Sequence, residues 1–64
     1  MDICVNDNVI VFDGSTVADL VEYLMLEAPF AIAVNTAFVA RKHYSSYHLQ
    51  PQDKVDIVTP VVGG

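Results

Sequence analysis

Lys54-Val55-Asp56-Ile57-Val58-Thr59-Pro60-Val61-Val62-Gly63-Gly64 is the stretch on which the fold and the chemistry both turn. Its first five residues alternate, with Val55 and Ile57 on one side and Asp56 on the other. Period two over such a run predicts a strand with one buried face. Val58 falls on the outer face. Pro60 stiffens the exit from the strand. Val61 and Val62 are β-branched and prefer extended backbone. Gly63 and Gly64 lack a Cβ and suit a channel too narrow for side chains. A carboxylate on Gly64 would be ionised at neutral pH and a poor electrophile until activated. The expectation is a thin tail, residues 61–64, leaving a domain over residues 1–60. Gly-rich ends also fray without purpose, so the residues upstream must decide.

Working back from that strand, Pro51-Gln52-Asp53 is a turn, and Tyr44–Leu49 is irregular with room for one short helical turn. Tyr44 and Leu49 are its inward anchors, while Arg41-Lys42-His43 is polar and exposed. Ala31–Val34 and Phe38–Ala40 read as two strands around the tight turn Asn35-Thr36-Ala37. Ile32, Val34 and Val39 belong to the core. Val17, Leu20, Val21, Leu24 and Ala28 recur at helical spacing, which predicts a helix from Val17 to Glu27 that Pro29 stops. Thr16 is its N-cap, with Asp19 in the capping-box position, and Ser15 competes for the role. Asp19 and Glu22 suit the positive end of the helix dipole.

Further back, Ile3–Val5 alternates with Ile3 and Val5 inward. Asn6-Asp7-Asn8 is a turn cluster, and Val9–Phe12 resumes an apolar run. These form an N-terminal hairpin that Asp13-Gly14 ends. Four apolar residues in a row leave open which pair of Val9–Phe12 faces the core. The order is strand, strand, helix, strand, strand, strand: an α+β domain whose helix covers one face of a mixed sheet. The first and last strands can lie parallel in its centre, which sends the C-terminus outward.

Sixty-four residues make one small domain. Cys4 is the only cysteine, so packing must supply stability without an internal disulfide, and 53% hydrophobic content permits that. His43 and His48 have no cysteine near them and read as surface loop residues. A formal net charge of −5 argues against nucleic acid or anionic lipid as a partner, and Tyr23, Tyr44 and Tyr47 are then packing residues. There is no run of membrane-spanning length and no signal-peptide pattern; cytoplasmic residence is the expectation. Asp2, Asp7, Asp13, Asp19, Glu22 and Glu27 occupy the first half, whereas Arg41, Lys42 and Lys54 all lie in the second. The acidic half is either a solubilising face or a surface steering towards a basic partner. Cys4, outward on its strand with nothing basic beside it in sequence, fills space, and a sulfur relay is the sharper alternative.

The string Ala33-Val34-Asn35, Phe38-Val39, Arg41, Tyr44, Leu49 and Asp53 resembles the small sulfur carriers of the ThiS family, part of the ubiquitin-like ThiS/MoaD group. Val55 to Gly64 is similar to the family's C-terminus, and Asn6 and Gly14–Leu20 fit the same pattern. The resemblance covers nearly the whole chain and implies the β-grasp, or ubiquitin-like, fold: a mixed five-stranded sheet crossed by one helix, order ββαβββ. Three turn or edge positions depart from the family's usual residues. Thr36 and Gln52 stand where Gly is common, which leaves the type of the turn at Thr36 open, and Ala40 stands where Pro is common.

The resemblance further implies a role in thiamin biosynthesis. An E1-like, ThiF-like adenylating enzyme would use ATP to convert the Gly64 carboxylate into an acyl adenylate. Sulfur derived from a cysteine desulfurase would displace AMP, and the resulting thiocarboxylate would give its sulfur to a ThiG-like thiazole synthase. The carrier would bind no cofactor or metal and supply no catalytic side chain. Gly63, Val62, Val61 and Pro60 would present the terminal carboxylate. Val58 and Phe38 are candidates for docking, against the reading of ordinary surface apolarity, and Arg41 is a third, against that of a solvated loop. Rival readings are a carrier for molybdopterin or another sulfur pathway, a ubiquitin-like modifier, and a plain interaction domain.

Overall fold

The computed structural model describes residues 1–60; the expected tail, residues 61–64, lies outside the described residues. β1 (Asp2–Val5), β2 (Asn8–Val11), helix α1 (Val17–Tyr23), β3 (Ala31–Val34), β4 (Ala37–Val39) and β5 (Lys54–Val58) follow in chain order, with a 3-10 turn over Arg41–His43. The five strands form one sheet ordered β2-β1-β5-β3-β4. β1 and β5 are parallel at its centre, and the remaining pairs are antiparallel. This is the α+β, β-grasp architecture expected from the sequence.

The alternating strands bury the residues that their pattern assigns. Ile3, Val5, Ile32, Val34, Val39 and Val55 form the core with Val17 and Leu20 of the helix, and Tyr44 and Leu49 close it from the loop. The open question at Val9–Phe12 is resolved: Phe12 is buried and Ile10 packs against the core, whereas Val9 and Val11 are exposed.

Thr16 caps α1 with both halves of the capping box present. The Asp19 amide donates to Thr16 Oγ1 at 3.1 Å, and the Ser15 and Thr16 amides donate to Asp19 Oδ2 at 2.9 and 3.0 Å. The Val17 and Ala18 amides, which no intrahelical carbonyl can reach, donate to the carbonyls of Tyr47 and Tyr44. Those bonds hold the irregular 44–49 loop against the helix start. The helical turn of this region sits earlier than expected, over Arg41–His43.

The helix is shorter than the expected Val17–Glu27 and ends at Tyr23. Its stop precedes Pro29 and is a Schellman arrangement. The Met25 amide donates to the Glu22 carbonyl, and the Leu26 amide reaches back to the Val21 carbonyl, both at 3.1 Å. Met25 takes the left-handed position, at φ 54°. Glycine is the usual residue there, so the stop carries no sequence signal. Ala28, assigned to the apolar face, is exposed.

Both hairpin loops have two residues, Asn6-Asp7 and Asn35-Thr36, so β2 begins at Asn8 and β4 at Ala37. All four have positive φ (47°, 67°, 51° and 71°), the mark of a type I′ turn. The turn at Thr36 is therefore type I′ despite a β-branched side chain. Gln52 also has positive φ, at 68°. Two of the three departures from the family pattern thus fall where the backbone favours glycine.

Candidate functional site

The site is built around the end of β5. This strand is central, and its two ends are pinned by asparagines from the two hairpin turns. At the start, the Lys54 amide donates to Asn35 Oδ1 at 2.9 Å, and Asn35 Nδ2 donates to Asp53 Oδ1 at 2.9 Å. Asp53 Oδ2 also accepts the Gln50 amide at 2.8 Å, which fixes the preceding turn.

At the far end, β1 has already turned away into its hairpin, and the Asn6 side chain takes its place. The Ile57 amide donates to Asn6 Oδ1 at 2.7 Å, and Asn6 Nδ2 donates to the Ile57 carbonyl at 3.2 Å. The carboxamide offers one acceptor and one donor, as a peptide group of the missing strand would. Ile57 is therefore held on the β1 side up to the residue before Val58. Beyond it, Thr59 and Pro60 are exposed and outside the sheet. The anchoring roles of Asn6 and Asn35 were not foreseen: local reading makes each a turn residue, and their partners are 51 and 19 residues away.

Among the docking candidates, Val58 is 63% exposed and Phe38 72%. Both lie on the sheet face opposite the core. Val58 is paired with Ala31, and Phe38 with Ala33. The two alanines between them are small and half-buried, so the larger side chains rise over a low surface. Strand spacing puts their Cα atoms about 12 Å apart. Arg41 lies at the same end of the sheet, because Val39 is paired with Ile32 at the start of β3. It lines a cleft of about 160 Å³ with Ala28, Pro29, Phe30 and Tyr44, where the rings of Phe30 and Tyr44 stack at 6.1 Å. Phe38, Val58 and Arg41 thus border the point where the chain leaves β5. Pro60 is just past that point; Val61, Val62, Gly63 and Gly64 lie outside the described residues.

The remaining candidates are not gathered there. Cys4 is half-buried on the outer face of β1, beside Val9 and Lys54 in register. His43 is exposed, and His48 is held by a bridge to Thr16. Asp19 has its carboxyl held below the usual carboxylate range, first by the Ser15 amide and then by the Thr16 amide; it belongs to the helix cap. No group of three or more His, Cys, Asp or Glu among the described residues could hold a metal ion. No helix among them is long and apolar enough to cross a membrane.

The fold is shared with solved structures. The crystal structure of a thiamine biosynthesis protein (ThiS) from Geobacter metallireducens matches with a TM-score of 0.84 at 20% identity, over 100% of both chains. An NMR solution structure of a thiamine biosynthesis protein from the same organism matches with a TM-score of 0.82 at 20% identity, over 100% of this chain and 88% of that one. No curated protein matches this sequence significantly. The ThiS family model matches residues 3–64, through the terminal Gly63-Gly64, and the chain is a member of the ThiS family.

Proposed function

We propose that this protein is a sulfur carrier of thiamin biosynthesis and that the Gly64 carboxylate is the group that carries the sulfur. The observation that supports this most directly is the family match, which extends from residue 3, in the first strand, to Gly64. The geometry agrees with a presenting role. A central strand, pinned by Asn35 at its start and Asn6 near its end, leads to an exposed Pro60.

In this reading a ThiF-like adenylating enzyme joins the Gly64 carboxylate to the AMP portion of ATP and releases pyrophosphate. The partner enzyme uses the ATP, and the carrier has no resident cofactor. A carboxylate oxygen attacks the α-phosphorus of ATP and becomes the bridging oxygen of the acyl adenylate, so that an oxygen that was a poor leaving group can depart with AMP. The terminal sulfur of a persulfide charged by a cysteine desulfurase then attacks the acyl carbon and AMP leaves. A thiol reduces the resulting acyl disulfide, forming a disulfide of its own with the donor sulfur, and the thiocarboxylate is released. A ThiG-like thiazole synthase takes that sulfur, and the carrier returns as the carboxylate. The carrier contributes no catalytic side chain. Phe38 and Val58 form the apolar part of the docking surface and Arg41 its charged rim, a division common to protein interfaces. The setting is the cytoplasm.

The test is to incubate the protein with ATP, an adenylating enzyme of this type and a cysteine desulfurase, and then to weigh it. A carrier gains the mass difference between sulfur and oxygen, localised to Gly64 by fragmentation. A modifier appears instead as higher-mass conjugates, and a plain interaction domain is unchanged. Transfer from the thiocarboxylate to thiazole synthase, against transfer to a molybdopterin synthase large subunit, separates the two sulfur pathways.

A further inference from the structure

We propose that the free edge of β2 is a second docking edge, which takes an extended partner strand with basic residues at both ends. β2 is the outermost strand on the side of the sheet away from β4. Its pairing with β1 fixes which backbone groups are used. Phe12 exchanges both its bonds with Met1, and the register is Asp2 with Val11, Ile3 with Ile10, Cys4 with Val9 and Val5 with Asn8. In an antiparallel ladder such doubly bonded pairs alternate with unbonded ones. Phe12, Ile10 and Asn8 therefore face β1, and the N–H and C=O groups of Val9 and Val11 point away from the sheet.

The side chains of the same two residues are exposed, at 72% and 69%. Natural edges are commonly blunted by lysine, proline or a bulge. β2 has none of these: it reads Asn8-Val9-Ile10-Val11 and is paired residue for residue with β1.

Charge selects the occupant. Asp7 and Asp13 bracket the strand, both exposed, about 20 Å apart along an extended chain. A second copy of this chain is disfavoured. Antiparallel pairing of β2 with itself in the register that bonds Val9 to Val11, the one that uses all four outward groups of each copy, sets Asp7 beside Asp13 at both ends, and like charges directly opposite destabilise a pair. Each copy also brings a net charge of −5. A strand with Lys or Arg at each end meets an opposite charge at both ends, in either orientation. Its backbone supplies the bonds that Val9 and Val11 lack, the usual mode of strand addition. β1 separates this edge from β5, so a partner held there leaves Pro60 free. The carrier could then be tethered at one edge while its tail is used elsewhere. This inference does not depend on the sulfur chemistry.

The probe is a synthetic, end-blocked peptide, Lys-Val-Thr-Val-Thr-Val-Lys, titrated into the isotope-labelled protein with amide shifts and exchange followed by NMR. Saturable shifts at Val9 and Val11, with slowed exchange of those two amides, are expected. The peptide with Asp in place of both Lys should bind at least about fivefold more weakly. Val11→Pro removes an outward N–H, which an edge strand tolerates, and should abolish the response. Should that variant fail to fold, D7N/D13N serves instead and should erase the preference between the peptides. Equal response to both peptides, shifts centred on β4, self-association through β2, or no saturable shift would each overturn the proposal.

Discussion

Replacing Asn6 tests the link between a turn residue and the strand that leads to Pro60. Its carboxamide makes two hydrogen bonds to Ile57, at 2.7 and 3.2 Å. Each is partly open to water, so a net contribution of about 0.5–1 kcal/mol apiece is reasonable. Asn6 also has φ 47°, where Asn is tolerated and Ala is strained by roughly 1 kcal/mol. Asn6→Ala should therefore lose about 2–3 kcal/mol. Asn6→Gly keeps the turn without strain and loses the two bonds plus roughly 0.5 kcal/mol of chain entropy, for a total of about 1.5–2.5 kcal/mol. In a domain of this size 1 kcal/mol corresponds to about 4–8 °C in Tm, so both variants are readily measured by denaturant or thermal unfolding. The decisive assay is hydrogen exchange at the Ile57 amide, which loses its acceptor in both variants. It should exchange faster in both, while the amide of Ile32 in the neighbouring strand changes only by the global loss of stability. Unchanged protection at Ile57 would refute the argument, and so would a glycine variant as stable as the parent.

Four other outcomes follow from local geometry. Thr36→Gly, Met25→Gly and Gln52→Gly should each stabilise the fold by about 0.5–1 kcal/mol, since each replaces an L-residue at positive φ by the residue suited to it; a lower denaturation midpoint in all three would count against the turn assignments. Gly14→Ala should destabilise by about 1–3 kcal/mol: an added Cβ would collide with the buried Phe12 ring and stand 2.8 Å from Asp19 Cβ, and calorimetry reads the loss. The Asp19 carboxyl, lowered in the folded state by the Ser15 and Thr16 amides, contributes stability that is present above its unfolded value of 3.8 and is lost as pH falls through the lower folded value. Asp19→Asn should therefore flatten the acid limb of the stability profile, measured by urea unfolding from pH 6 downward. Phe38→Ser and Val58→Asp should leave the unfolding midpoint nearly unchanged, because both side chains are exposed, yet should raise the KM of the protein with the proposed adenylating enzyme about tenfold or more, as loss of an interface anchor does.

What the sequence disclosed was what local physics decides. The alternation in Ile3–Val5 and Lys54–Val58 marked strand and buried face together, because period two does both at once. Thr16 and Asp19 announced the helix start through a reciprocal bond closed within three residues. The outward placement of Val58 followed from phase alone. The helix stop was not legible, since Met25 occupies a position that glycine would have flagged. The facing of Val9–Phe12 was ambiguous because the alternation there is masked by apolar residues on both faces. Asn6 and Asn35 looked complete as turn residues, and nothing local reveals that their side chains reach β5. Phe38 was coupled with Val58 as a docking patch and Arg41 was named apart; the order of the strands places all three around the same exit.

The position of β5 has a mechanical consequence. The hairpins β1–β2 and β3–β4 join one sheet only through β5, so the strand that leads to Pro60 is also the seam of the domain. A tug on the chain beyond Pro60 runs along the axis of β5, across its hydrogen bonds to both neighbours. Those bonds share the load as a sheared joint and are not peeled one by one. Asn6 adds its clamp at Ile57, close to where the force enters. A partner that took hold of residues 61–64, as the proposed function requires, would thus pull on the part of the molecule best placed to bear tension.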